Sequence, residues 1–269
     1  MAGDARTIGI ISIKGGVGKT SCTINLASAL ASLNKKTLAI DANYSAPNLG
    51  MHVGMIKPDI TLNEVMNRGI DVSNAIYSYH DGLHILPSSI VGRKVNPNDL
   101  KNKLKNIKHN YEVMVIDSSP NLNEEMLSTI AASDELLVVT TPDFPTLSCT
   151  IHAIKVAKRK NTPITGLVLN KVRNKHYELD TEDIESACDA PVLAMLPDSN
   201  DMLEALALSK PVLHHRPNAE ISVEYMKLAA SLIGEKYSDP RIFSQIKNMF
   251  RTKIPKHELN RLMLKNDKQ

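Results

Sequence analysis

The stretch that decides the fold of this chain reads Lys14-Gly15-Gly16-Val17-Gly18-Lys19-Thr20. An apolar run typical of a buried strand, residues 8–13, precedes it, and a helical pattern over residues 21–33 follows it. In this context a glycine turn exposes successive backbone N–H groups, which bind phosphate oxygens together with the N-terminus of the helix. Lys19 would reach the β- and γ-phosphates, and the Thr20 hydroxyl would coordinate Mg²⁺. The stretch therefore predicts a nucleoside triphosphate site.

The composition allows one large core and excludes several classes of protein. Of the 269 residues 42% are apolar, which is enough for one α/β domain of this length. Cys22, Cys149 and Cys188 form no C-x-x-C pair, which argues against a disulfide framework or a cysteine zinc site and favours a reducing, cytoplasmic location. No secretory segment is expected at the N-terminus, because the first apolar run already belongs to the strand before the glycine turn.

Apolar runs of strand length alternate with helical patterns along the chain. Strands are expected at residues 37–40, 83–86, 113–116, 136–140, 164–169 and 192–196, and helices at residues 99–110, 123–131, 145–160, 181–188 and 201–208. Apolar strands separated by amphipathic helices indicate a doubly wound α/β fold, with a mostly parallel sheet flanked by helices. Residues 43–79 are less regular and are expected to form loops and short helices at one edge. We predict one domain over residues 1–237 and a basic tail over residues 238–269.

The glycine turn departs from the ordinary pattern G-x-x-x-x-G-K-[ST], because Ile13 stands at its first position and Lys14 at its second. The form K-G-G-V-G-K-T resembles the deviant Walker A motif of the MinD/ParA family of P-loop ATPases, and the chain is most similar to the MinD-type members. The resemblance implies ATP and Mg²⁺ as ligands and a homodimer that forms on ATP binding. In that family the early lysine reaches the nucleotide of the partner subunit, so Lys14 is expected to stabilise phosphate charge across the interface.

Two aspartates close predicted strands and are expected at the carboxyl edge of the sheet, where ligands of such folds bind. Asp117 is followed by S-S-P, a segment that resembles the D-S-P switch II of the family with one extra serine. An aspartate in this place typically holds the Mg²⁺ ion. Asp41 opens a segment, residues 41–50, that matches switch I of the family.

Switch I usually carries two aspartates in the pattern D-x-D, of which the second positions or activates the attacking water. Here Asn43 replaces that second aspartate. An asparagine still hydrogen-bonds to water, but it carries no charge and cannot accept a proton as a base. Because the loss of a positioned base lowers a rate by about 10²- to 10⁴-fold, the sequence predicts a slow ATPase with a long-lived ATP-bound dimer.

Two segments resemble the base-binding loops of the family. Asn170 follows a strand, and its amide can both donate to and accept from the edge of a base. Pro197 and Asp198 close the next strand and resemble the loop that flanks the base. Because Arg173 stands where the GTPase pattern N-K-x-D needs an aspartate, ATP is favoured over GTP.

The sequence thus assigns three overlapping sets of site residues. The catalytic set is Lys14, Lys19, Asp41 and Asn43. The nucleotide-binding set is Lys14, Gly15, Gly16, Val17, Gly18, Lys19, Thr20, Ser21, Asn170, Pro197 and Asp198. The Mg²⁺-binding set is Thr20, Asp41 and Asp117. Some residues belong to two sets, because one phosphate group contacts both the protein and the metal ion.

The C-terminal residues 239–269 are basic and amphipathic. They hold eight lysines or arginines against three acidic residues, a net charge of +5 on a chain whose total is +3. Apolar residues recur at helical spacing, among them Ile242, Ile246, Met249 and Phe250. A short helix with an apolar stripe and a basic opposite face can lie in a membrane interface, and MinD-type proteins end in a helix of this kind. Docking on the protein body and binding to nucleic acid are the alternatives.

Together these features predict a nucleotide switch. According to this hypothesis, an ATP-bound dimer associates peripherally with the inner face of the cell membrane and positions a cellular machine such as a division or motility apparatus. An activating or cargo protein is expected as a partner. The alternatives are a ParA-like dimer that holds DNA non-specifically and a client or metal chaperone driven by the same switch. The missing cysteine pair counts against the metal chaperone.

Overall fold

The computed structural model describes residues 4–80, 82–90, 95–241 and 254–266. Its strands are β1 (Arg6–Ile11), β2 (Thr37–Asp41), β3 (Tyr77–His80), β4 (Leu83–Leu86), β5 (Val113–Asp117), β6 (Glu135–Thr140), β7 (Ile164–Val172) and β8 (Val192–Pro197). Its helices are α1 (Lys19–Ser32), α2 (Leu62–Arg68), α3 (Leu100–Lys105), α4 (Glu124–Ala132), α5 (Phe144–Arg159), α6 (Thr181–Cys188), α7 (Asn200–Ala207), α8 (Val212–His215), α9 (Glu220–Leu232) and α10 (Lys256–Asn266).

The eight described strands form one sheet in the order β3-β4-β2-β5-β1-β6-β7-β8. Every neighbouring pair is parallel except β3 with β4. Helices α1 and α9 cover one face, while α2 to α6 cover the other, so β2, β5 and β6 are buried along their whole length. This arrangement confirms the predicted doubly wound α/β fold.

The position of β1 determines where a ligand can bind. β1 lies between β5 and β6, and the chain continues in opposite directions across the sheet on its two sides. In sheets of this kind a crevice opens at the carboxyl ends of the strands where the order reverses. The glycine turn leaves β1 at this point and leads into α1, which is buried against the sheet and α9.

Several elements differ from the sequence prediction. Helices α8 and α9 were not predicted, and α9 is buried along most of its length between α1, β8 and α10. Strand β3, a half-exposed antiparallel edge strand, lies partly in the region expected to form loops. The helix predicted over residues 99–110 ends at Lys105, since Ile107 turns into the core and residues 108–110 form a separate 3-10 turn.

Helix α10 packs on β8 and α9, with Leu264 against the apolar core and several polar side chains in hydrogen bonds. Arg261 Nη1 and Nη2 both lie 3.0 Å from Glu224 Oε2 on α9, and this pair is buried. Asn260 Nδ2 donates to the Val192 carbonyl oxygen at 2.8 Å, which occupies a backbone acceptor of β8. The apolar side chains Ile254, Leu259, Leu262 and Met263 are exposed instead, Met263 to 67%. The helix is therefore attached by a face that holds Arg261, Lys265 and Leu264.

The residues predicted to contact a membrane, Ile242, Ile246, Met249 and Phe250, lie outside the described residues. The segment before them ends at Arg241, which donates to Asp239 through Nε at 2.9 Å. Within the described part of the chain, no helix combines the length and the apolarity that a bilayer span requires.

Candidate nucleotide site

The glycine turn between β1 and α1 borders an open cleft of about 380 Å³. Gly16 and Gly18 have φ angles of 77° and 91°, a backbone region that side chains with a Cβ rarely adopt. A Cβ at Gly18 would in addition collide with the amide of Asn170. The predicted site residues line this cleft, except Asp41 and Asp117, which are fully buried.

A buried polar cluster lies at the start of α1. Lys19 Nζ donates to Asp117 Oδ1 at 3.0 Å and also to the Ser118 carbonyl oxygen. Thr20 Oγ1 donates to Asp117 Oδ2 at 2.6 Å, and Thr23 Oγ1 donates to Asp117 Oδ1 at 3.1 Å. All of these side chains are buried, so Asp117 is held by one ammonium and two hydroxyl groups. The lysine and the threonine of the glycine turn thereby converge on one carboxylate.

Asp41 lies beside Asp117 in the register of β2 and β5. Its Oδ2 accepts from the backbone N–H groups of Asn48 and Leu49, both at 3.0 Å, and its Oδ1 accepts from the N–H of Asn43 at 3.1 Å. Burial and the neighbouring charge of Asp117 raise the pKa of Asp41 to about 7. Two adjacent buried carboxylates repel each other, and a bound cation relieves that repulsion.

The donor set fits Mg²⁺. The oxygen atoms of Thr20, Asp41 and Asp117 are the ligands that this hard cation prefers. Among the described residues no group of three or more His, Cys, Asp or Glu side chains could form a metal cluster. Mg²⁺ usually binds through one or two carboxylates together with substrate phosphates, so a dedicated cluster is not needed.

Asn43 closes a turn within switch I (residues 41–50). Its Nδ2 donates to the Ala46 carbonyl oxygen at 2.6 Å, and its Oδ1 accepts from the Ala46 N–H at 3.3 Å. The side chain is buried and lines the cleft. An aspartate could accept the second bond but could not donate the first. The turn therefore selects asparagine at this position.

The two lysines of the glycine turn lie in different environments. Lys14 Nζ lies 2.6 Å from Thr146 Oγ1 and 3.4 Å from Asp143 Oδ1, at the N-terminus of α5. The Lys14 side chain is 41% exposed, whereas the Lys19 side chain is 7% exposed. Lys14 thus lies at the rim of the cleft and Lys19 at its base.

The residues predicted to contact the base line the same cleft. Asn170 Nδ2 donates to the Val17 carbonyl oxygen at 2.7 Å and so connects β7 to the glycine turn. Arg173 Nε donates to Asp198 Oδ2 at 2.8 Å and fixes one oxygen of that carboxylate. The apolar lining residues of the cleft include Pro197, Met202, Leu203 and Leu206. The three that lie on α7 were not predicted, because their spacing alone indicates only an amphipathic helix.

Two residues that contact switch I were not predicted, namely Glu125, which contacts Ser45, and His52, which contacts Asn48. The Ser45 hydroxyl donates to Glu125 of α4, which joins switch I to the helix after switch II. His52, in a 3-10 turn over Gly50–Val53, lines the cleft beside Ser21. Glu125 is 80 positions from Ser45, and no local pattern in the sequence signals such a contact.

Comparison with known proteins places the chain among nucleotide-binding proteins. A family model described as an AAA domain matches residues 5–165, more than half of the chain. An uncharacterised ATP-binding protein of Methanocaldococcus jannaschii is 34% identical over 236 residues, which are 87% of this chain and 89% of that protein. The septum site-determining protein MinD of Thermotoga maritima is 30% identical over 237 residues, 84% of this chain and 87% of that protein.

A solved structure supports the same assignment. MinD of Pyrococcus horikoshii in complex with Mg-ADP superimposes with a TM-score of 0.80 at 29% identity, and the match covers 84% of this chain and 94% of that one. The similarity therefore extends over most of the chain and is not confined to one motif. The chain is an ATP-binding ATPase that belongs to the MinD/ParA family of deviant Walker A P-loop proteins.

Proposed function

We propose that ATP binding makes two copies of this chain dimerise and that slow hydrolysis separates them again. The observation that carries this proposal is the difference between the two lysines of the glycine turn. Lys19 is buried against Asp117 inside its own subunit, whereas Lys14 lies at the rim of the cleft and is 41% exposed. A lysine in that position can reach the nucleotide of a partner, where its charge would stabilise the phosphates.

Within one subunit the residues divide the task of holding the nucleotide. The backbone N–H groups of residues 15–18 would cradle the phosphates, and Lys19 would exchange its contact with Asp117 for phosphate oxygens. Thr20, Asp41 and Asp117 would hold Mg²⁺, which supplies positive charge against the phosphates when it is bound. Ser21 continues the phosphate-binding surface into α1, while Asn170, Pro197 and Asp198 would contact the base.

Hydrolysis is slow in this proposal because Asn43 cannot act as a base. Both polar atoms of its amide are engaged by Ala46, so the side chain serves first to hold switch I. Phosphoryl transfer depends mainly on positioning and charge stabilisation, which Lys14, Lys19 and the Mg²⁺ ligands supply. Turnover therefore proceeds, but below the usual range of about 1 to 10³ s⁻¹.

ATP turnover by the purified chain tests the assignment of Lys14. We expect Lys14→Ala to lower turnover at least about 10-fold, because charge supplied across an interface acts mainly on the transition state. Lys101→Ala, which removes an exposed lysine of α3, is the matched control and should leave turnover unchanged. Equal turnover in both variants would contradict the role of Lys14.

The same assay tests the role of Asn43. A wild-type rate above about 1 s⁻¹ that is unchanged in Asn43→Ala would contradict that role.

We further propose that residues 1–237 form the ATPase domain and that the tail over residues 238–269 attaches it to the membrane through the segment before α10, because α10 itself is docked on α9 through Arg261 and Glu224. The apolar residues Ile242, Ile246, Met249 and Phe250 and the basic residues around them would make the contact. The described residues on either side of these positions meet on the body, since Lys227 Nζ lies 3.9 Å both from Asp239 Oδ2 and from Glu258 Oε1.

The dimer links the two parts of the proposal. One short amphipathic segment binds a membrane only marginally, because stable attachment generally needs two signals. A dimer carries two such segments, and the second attaches from a high effective concentration. ATP would thereby control membrane attachment without a change inside the segment itself.

Liposome co-sedimentation tests the membrane part. We expect the full chain to pellet with anionic liposomes in ATP–Mg²⁺ but not in ADP–Mg²⁺, and Ile246→Glu with Phe250→Glu to abolish pelleting. Ile56→Glu changes an exposed apolar residue of the body and is the matched control. Absence of pelleting in both nucleotides would overturn membrane attachment. Binding to DNA that disappears at high salt would then favour the ParA-like alternative.

We also propose that an activating or cargo protein binds at α4 and that the switch positions a cellular machine such as a division apparatus. The contact of Ser45 with Glu125 supports this surface, because it connects switch I directly to α4. The name of the Thermotoga maritima relative, a septum site-determining protein, supports the cellular role.

A further inference from the structure

His52 contacts both the first turn of α1 and switch I. Its Nδ1 lies 3.0 Å from the Asn48 carbonyl oxygen, and its Nε2 lies 3.3 Å from Ser21 Oγ. The ring is half-buried in the wall of the cleft, beside the predicted phosphate-binding residues. It is therefore placed between the part of α1 that would contact a nucleotide and the loop that follows Asp41.

The partners of His52 determine its tautomer. A backbone carbonyl oxygen can only accept a hydrogen bond, so Nδ1 carries the proton and donates to Asn48. In the neutral ring Nε2 is then an acceptor, and the Ser21 hydroxyl donates to it. The Ser21 hydroxyl thus donates its hydrogen bond to His52. If a phosphate oxygen accepts this hydrogen bond instead, His52 Nε2 loses its contact with Ser21.

The same backbone that His52 holds also holds Asp41. The N–H groups of Asn48 and Leu49 both donate to Asp41 Oδ2 at 3.0 Å. A shift of residue 48 therefore moves two of the donors that orient a fully buried carboxylate. A continuous path of contacts runs from Ser21 through His52 and Asn48 to Asp41.

We propose that His52 is a positioning residue that couples occupancy of the cleft at Ser21 to the orientation of Asp41. The proposal rests on the proposed role of Asp41 beside the Mg²⁺ site. His52 itself does not touch the reacting atoms. Together with the Met51 N–H, which donates to the same oxygen at 3.1 Å, it holds the carbonyl of Asn48, and through the N–H groups of residues 48 and 49 it helps to set the direction of the Asp41 carboxylate.

Amide hydrogen exchange of Asn48 and Leu49 tests the structural part without any nucleotide. The loss of one hydrogen bond corresponds to about a 2- to 10-fold change in an opening equilibrium, so exchange in His52→Ala should accelerate by about this factor. His52→Asn is the matched variant, because its amide nitrogen can occupy the position of Nδ1 and keep the bond to Asn48. Its exchange at these two amides should stay within about 2-fold of the wild type.

Addition of ATP–Mg²⁺ tests the coupling. In the wild type we expect exchange at residues 48 and 49 to slow at least about 3-fold, and in Ser21→Ala and His52→Ala this extra protection should disappear. In turnover, His52→Ala should lower kcat about 10-fold while the Kd for ATP changes less than about 3-fold, as expected of a residue that acts through Asp41.

The possible failures are distinguishable. Unchanged exchange at residues 48 and 49 in His52→Ala, or equal acceleration in His52→Asn, would overturn the role of His52. Absence of ATP-dependent protection in the wild type would overturn the coupling. A chain that binds ATP without hydrolysing it would contradict the proposed function alone, because the exchange measurements do not depend on turnover.

Discussion

The nucleotide cleft and helix α10 both bury charged side chains, but they do so for different reasons. In the cleft Lys19 and Asp117 are held by hydrogen bonds that a nucleotide with Mg²⁺ can replace. On α10 the pair of Arg261 with Glu224 attaches one helix to another, and no ligand is needed to complete it. Buried charge serves binding in the first region and docking in the second.

The largest expected effect concerns the docking of α10. Arg261→Ala would leave Glu224 buried with one cation fewer, so we expect the free energy of unfolding in urea to fall by about 3 kcal/mol. Lys158→Ala removes an exposed ion pair with Asp189 and should cost less than about 1 kcal/mol. Equal losses in the two variants would show that α10 is not held by this pair.

The cleft gives the next largest effect. Lys19→Gln removes the ammonium that should reach the phosphates, and the loss of charge-assisted hydrogen bonds should weaken ATP binding by about 100-fold. Fluorescence titration with a labelled ATP measures this Kd. Lys101→Gln on α3 should bind like the wild type. If the Kd of Lys19→Gln for labelled ATP stayed within about 3-fold of the wild-type value, the buried charge in the cleft would not serve nucleotide binding, and the contrast with α10 would be wrong.

Asn43 provides a smaller test within the cleft. Asn43→Asp brings a carboxylate oxygen to the place where Nδ2 now donates to Ala46, so we expect stability to fall by about 1–3 kcal/mol. Asn102→Asp, in which an exposed amide that donates to Asp99 is changed in the same way, should cost less than about 0.5 kcal/mol. A stabilised Asn43→Asp would show that the turn does not select asparagine.

The smallest effect is the dependence of α10 on pH. Burial and the charge of Arg261 lower the pKa of His257 below its ordinary 6.5, so its stabilising effect is lost as pH falls through the folded pKa. Burial opposes ionisation of Glu224, but Arg261 and Lys227 outweigh it and lower the pKa of this carboxyl, whose contribution is lost below its ordinary 4.5.

Both shifts have the same sign, so α10 should undock progressively from about pH 6.5 downwards. Hydrogen exchange of the α10 amides at pH 7.5 and pH 5 measures this change, which should be smaller than the loss in Arg261→Ala. In His257→Asn, the change in exchange of the α10 amides near pH 6 should disappear, while the change at lower pH that arises from Glu224 should remain. A docking equilibrium that is independent of pH, or stronger in acid, would contradict the assignment.

The two regions also differ in how far the sequence predicts them. The sequence predicts the glycine turn, Asp41 and Asp117 as site residues because phosphate-binding and metal-binding residues of this fold stand at defined positions after the ends of strands. The structure places these residues next to one another at the carboxyl ends of β1, β2 and β5. The contact of Lys14 with Asp143 joins residues 129 positions apart and follows from the packing of α5 beside the turn, which no local pattern reports.

The orientation of α10 was not predictable from its amphipathic pattern. Periodicity shows that a helix has an apolar and a polar face, but burial of the apolar face is only an expectation. Here Arg261 pairs with Glu224 on α9, a helix that is itself buried along most of its length. The ion pair therefore decides which face is inward, and it depends on two helices that must first be in place.

The most direct test of the nucleotide switch is the molecular mass in solution, measured by light scattering after size exclusion with ATP–Mg²⁺ and with ADP–Mg²⁺. The monomer has a mass of 29.6 kDa. We predict about twice this mass in ATP, the monomer in ADP, and the monomer in both nucleotides for Lys14→Ala, because in the proposed dimer the lysine at the rim would complete the site of the partner. A wild-type chain that stays monomeric in ATP while binding it would contradict the switch.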